Sequence, residues 1–155
     1  MGRLNEDVGI IPLFEPIDLA AGADSDSFEL SKGATADIIF ITGVLTVPGT
    51  LSLFSGATVG AKTTALPFTY RLSGGDFKAA SADLYGADVA EADGILTLSA
   101  TVNDHRTHVL SISAADLPAD HKYVTAVLAS GTAQLVAAVA IVRGVRYQPP
   151  ATATA

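Results

Sequence analysis

The amino-acid sequence predicts an all-β fold: one β-sandwich domain preceded by an extended N-terminal arm. Three observations carry that expectation. Short runs of β-branched, aromatic and leucine residues recur along the 155-residue chain, punctuated by Gly, Pro, Asn, Asp and Ser. Helical periodicity is thin throughout. The apolar share of 49% leans on Ala and Val, with aromatics at 6%, and such small side chains suit close sheet-on-sheet packing.

In chain order, "ADIIFITG" reads as a strand ended by Gly43, and "LTVPGTLSLFSG" turns at Pro48-Gly49 before Leu51 and Leu53 alternate. "LPFTYRLSGG" sets Phe68, Tyr70 and Leu72 on one face against Thr69 and Arg71 on the other. "DFKAASADLYGADVAEADG" is interrupted at Gly86 and irregular in its apolar spacing, so it reads as a long loop with at most one helical turn. "GILTLSATV" alternates Leu96, Leu98, Ala100 and Val102; "THVLSISAADLP" is a strand through Ile112 with a turn closed by Pro118. "KYVTAVLASG" and "AQLVAAVAIVRGVRY" complete the set. Segments at intervals of roughly 10–15 residues suit a jelly-roll-like sandwich spanning residues 28–148. Residues 149–155 form a flexible tail with nothing to pack.

Residues 1–27 form the arm. Ile10, Ile11, Leu13, Phe14 and Ile17 give it apolar contacts, while Pro12 and Pro16 argue against regular ladder pairing. Such a segment must lie against something, either its own sandwich or a neighbour. If the arm is an accessory, deleting residues 1–17 leaves a folded domain with weakened assembly.

Leu135 to Val142 is an unbroken run of eight apolar residues. A membrane helix needs about 20. A strand covered on both faces also reads as continuously apolar, so the run is expected to be a central strand, its second cover being this chain or another subunit. Arg143, Arg146 and Tyr147 leave that strand as contact-type residues, since Arg and Tyr are enriched at interfaces.

Chemistry is sparse. Lys and Arg number 9 against 16 Asp and Glu, a formal charge of −7 that opposes nucleic acid and anionic lipid, so neither is expected as a partner. There are no cysteines, which excludes disulfides and Cys-ligated metals. "MGRLNEDVGI" shows no export signal. "NDHRTH", with Asp104, His105 and His108, reads as a polar hairpin loop rather than a metal site, and His121 as a turn residue. Asp24 and Asp26 in "GADSDS" lack the remaining ligands of a calcium loop. Asp83, Asp88, Glu91 and Asp93 lack the aromatic neighbours of a glycosidase pair, and no G-x-S-x-G elbow occurs. No catalytic, cofactor or metal residues are expected, and no enzymatic activity.

Taken together, the arm "IIPLFEPIDLAAGADSDSFELSKGATADIIFITG", the strand "LPFTYRLSGGDF", "HVLSISAADLPADHKYVTAVLAS" and the closing "LVAAVAIVRGVRYQ" resemble the head decoration (cement) proteins of tailed bacteriophages. The resemblance spans about Gly9 to Gln148. It implies a virion structural protein, made in the host cytoplasm and bound to the major capsid protein on the shell exterior. It also implies homo-oligomers, with trimers favoured, and no catalytic residues. A phage tail or head-tail connector component and a carbohydrate-binding β-sandwich module are the alternatives. The last would have to assemble a platform from Tyr70, Tyr85, Tyr123 and Tyr147 without any Trp.

Overall fold

The computed structural model describes residues 8–18, 22–30, 34–129 and 134–144, with the side chains of Ile17 and Gln134 left aside. It is a β-sandwich of two antiparallel sheets. The strands are β1 (Gly9–Asp18), β2 (Ala23–Asp24), β3 (Phe28–Glu29), β4 (Thr35–Leu45), β5 (Gly49–Gly56) and β6 (Thr64–Ala65). They continue with β7 (Phe68–Leu72), β8 (Val89–Glu91), β9 (Ile95–Leu98), β10 (Thr107–Ser113), β11 (Tyr123–Ala129) and β12 (Gln134–Arg143). Between β10 and β11 the chain makes one 3-10 turn, Ala114–Asp116, closed by a reciprocal cap between Ser113 and Asp116.

The first sheet runs β1-β12-β4-β10-β7-β8; the second runs β2-β11-β5-β6, with β3 also pairing β11 and β9 pairing β5. Period-2 alternation sorts the side chains. In β4, Ala36, Ile38 and Phe40 point inward while Thr35 and Ile41 face out. Leu110 and Ile112 of β10 and Phe68 of β7 extend that inner face. Leu51 and Leu53 of β5, Leu96 and Leu98 of β9 and Val124, Ala126 and Leu128 of β11 meet it from the second sheet. The alternation in β5, β7 and β9 expected from sequence is present, except that β9 stops at Leu98 and Val102 lies exposed.

Most links cross between sheets. The chain passes from the first sheet to the second at β1–β2, β4–β5, β8–β9 and β10–β11, and returns at β3–β4, β6–β7, β9–β10 and β11–β12. "NDHRTH" is therefore an arch between layers, not a hairpin loop, and its last two residues already belong to β10. Gly94 makes the β8–β9 crossing possible. Its φ of +68° is left-handed, and a Cβ there would fall 2.6 Å from the Leu66 carbonyl oxygen.

Two expectations need correction. The segment with Pro12 and Pro16 is not kept out of the ladder: Gly9–Asp18 pairs antiparallel with β12 as an edge strand. An edge strand needs donors on one side only, so a proline tolerated toward solvent does not abolish pairing. Register shifts between Pro12 and Phe14, and between Phe14 and Ile17, absorb the mismatch. The boundary drawn at residue 27 thus cuts through the sandwich. The apolar octet, in turn, is central, but this chain by itself covers only one of its faces. Val136, Ala138, Ala140 and Val142 are buried in the core, whereas Leu135 on the opposite face is 48% exposed.

Candidate interaction surface

The outer face of the first sheet carries the exposed side of that octet. Cross-strand registers set the rows. Pro12 lies opposite Val139, Val139 opposite Ile39, and Ile39 opposite Val109. One row along, Ile10 pairs with Ile141, and on the other side Ala137 pairs with Ile41. Ile10 is 43% and Ile41 38% exposed, and Val139, Ile141 and Ile39 are half-buried between their neighbours. Polar outer positions are few here, so three adjacent strands present an apolar strip of the kind that marks contact sites.

At one end of the strip lies a charged cluster. Arg143 Nη1 is 2.6 Å from Asp37 Oδ2, and Ser111 Oγ donates to Asp37 Oδ1 at 2.8 Å. Beyond it, toward β7 and β8, an open groove of about 530 Å³ is lined by Thr35, Thr69, Ser113, Glu91 and Asp116 besides this cluster. Asp116 is already committed to its cap on the Ser113 backbone. Its aromatic neighbour Phe68 is buried, leaving the groove without a sugar-stacking platform.

The residues singled out in sequence separate. Ile10 and Arg143 lie on the open face. Ile11, Leu13 and Phe14 do not: parity in β1 sends Ile11 and Leu13 between the sheets, and the register shift between Pro12 and Phe14 turns Phe14 into the core beside them. Ile17 pairs with Val136 through its backbone. Arg146 and Tyr147 lie outside the described residues.

The tyrosines among the described residues do not share a surface either. Tyr70 packs against the core from β7, Tyr123 belongs to the second sheet, and Tyr85 bridges Ser73 in the 74–88 loop, while Tyr147 is outside the described residues. In the acidic cluster, Asp88 receives two hydrogen bonds from Arg71, at 2.5 and 2.9 Å. That pairing lowers the carboxyl pKa and raises that of the guanidinium. Asp24 pairs with Lys62. Among the described residues, no three His, Asp or Glu side chains converge as a metal site would require.

Two polar arrangements were not foreseen. Ser55 Oγ lies 2.9 Å from His121 Nδ1, but Ser55 is fully buried, so its hydroxyl ties β5 to the turn before β11 instead of meeting a substrate. Asn103 and His108 are also buried. Asn103 Oδ1 accepts from the Ser99 backbone at 2.7 Å, which leaves its amide nitrogen to donate to His108 Nε2 at 2.9 Å. The ring therefore carries its proton on Nδ1, a buried atom without a hydrogen-bond partner. Burial pushes the imidazole down to about 4. The Phe40 backbone pulls back upward although it makes no full hydrogen bond, and the Arg106 guanidinium pushes down by less.

No protein-family model, curated protein or solved structure matches the chain. The open apolar strip on an acidic sandwich is the feature that offers a surface for contact.

Proposed function

We propose that this protein is a virion structural component of a tailed bacteriophage, a decoration protein that binds the major capsid protein on the outer surface of the head and reinforces the shell. The observation that carries the reading is the apolar outer strip of β1, β12 and β4 on a rigid β-sandwich. Exposed apolar strips on small acidic domains serve association. The charge of −7 favours a position facing solvent over one facing packaged DNA. The family resemblance across residues 9–148 supplies the rest of the argument.

Immunogold labelling of virions from the source culture, with antibody raised against the purified chain, tests this. Gold on heads is expected. Gold on tails transfers the role to a tail or connector component, and unlabelled particles remove the virion reading. A glycan array is expected to give no hits, since the tyrosines among the described residues do not form a platform.

A further inference from the structure

The open strip ends at Asp18 on one side and at Arg143, paired with Asp37, on the other. Val139 lies midway between Leu135 and Arg143 on β12, with Asp18 opposite Leu135 at one end and Asp37 beside Arg143 at the other. A two-fold axis running across the strands at Val139 inverts the strip along its length. A second copy laid face to face then puts its Arg143 over Leu135 and Asp18 of the first, and the reverse contact follows by symmetry.

We propose that this face is a two-fold interface between two copies of the chain, packed sheet on sheet through β1, β12 and β4, an arrangement that holds whether or not the protein decorates a capsid. Sizes complement as well as charges, since Ile141 of one copy lies over Ala137 of the other. Asp37, which falls under the other copy's Ile41, is already held by Arg143 and Ser111 and its side chain is only 25% exposed. The other two-fold, parallel to β12, stacks Arg143 on its own copy and is excluded by like-charge repulsion. Edge-to-edge pairing through β1 is opposed by Pro12 and Pro16, which cannot donate to a new ladder. A three-fold contact needs two different complementary patches, and this strip is self-complementary.

Three strands about 4.8 Å apart and ten residues long give a footprint of roughly 450 Å². That is below the ~800 Å² per partner typical of stable complexes, so the dimer should depend on concentration.

Light scattering across a concentration series tests it. The wild-type mass is expected to rise from 15.8 kDa toward twice that value. Val139→Lys is expected to stay monomeric with unchanged circular dichroism. Asp18→Lys, which sets a like charge against the other copy's Arg143, is expected to weaken dimerisation about tenfold and Asp18→Asn by less, with unchanged circular dichroism in both. A wild-type mass that stays monomeric at the highest soluble concentration, or settles near three chains, overturns the proposal. So does a folded Val139→Lys that dimerises like wild type, or an Asp18→Lys that dimerises as well as Asp18→Asn.

Discussion

At the scale of single residues, His108 is the most consequential polar group. Its folded-state pKa of about 4 lies below the ordinary 6.5, so between those values the unfolded chain binds a proton that the folded chain refuses. Stability is therefore expected to fall as the pH drops through that window, by on the order of 3 kcal/mol in all. Urea unfolding from pH 7 to pH 4 checks this, with His108→Gln expected to flatten the slope. Gly94 acts through its backbone. Gly94→Ala combines a left-handed φ with a clash against the Leu66 carbonyl, and is expected to lower stability by about 1–3 kcal/mol in thermal unfolding. Neither effect is visible in sequence, where His108 looks like one member of a polar loop and Gly94 like an ordinary turn residue.

At the scale of elements, the first strand changes role. An accessory arm could be removed without loss of the fold. β1 cannot, because it contributes Ile11, Leu13 and Phe14 to the core and covers the edge of β12. Deleting residues 1–17 is thus expected to abolish cooperative unfolding, reversing the outcome expected of a detachable arm. Phe14→Ala alone is expected to cost about 3–5 kcal/mol, measured by denaturant midpoint. Ile10→Ala, on the open face beside Phe14's strand neighbours, is expected to change stability by less than about 1 kcal/mol. The contrast separates core from contact residues within one strand. Sequence placed all of them together because prolines and bulges hide the alternation that a regular strand would show.

At the scale of the whole molecule, charge and surface act together. Sixteen acidic side chains against nine basic ones give a net negative charge, while the strip of β1, β12 and β4 is apolar over three strands. Copies of an acidic protein repel, and raising salt screens that repulsion within a Debye length of about 8 Å at physiological strength. Salt also screens the Arg143–Asp18 pairs of the proposed two-fold contact, so these two effects oppose each other. Apolar burial is the larger contribution, and dimerisation is expected to persist or strengthen between 50 and 500 mM NaCl in sedimentation equilibrium.

The sequence by itself determined the class of fold and the faces of its regular strands. Alternation in β4, β7 and β10 is a local property, written in each segment by the period of the backbone. It also marked Leu135 to Val142 as central. Only the tertiary structure decided which strands are neighbours, because pairing joins segments far apart in the chain: β12 lies between β1 and β4, and Arg143 meets Asp37 only there. That order of strands, not any local pattern, buries Phe14, leaves Ile10 open and makes one face of the sheet available to a partner.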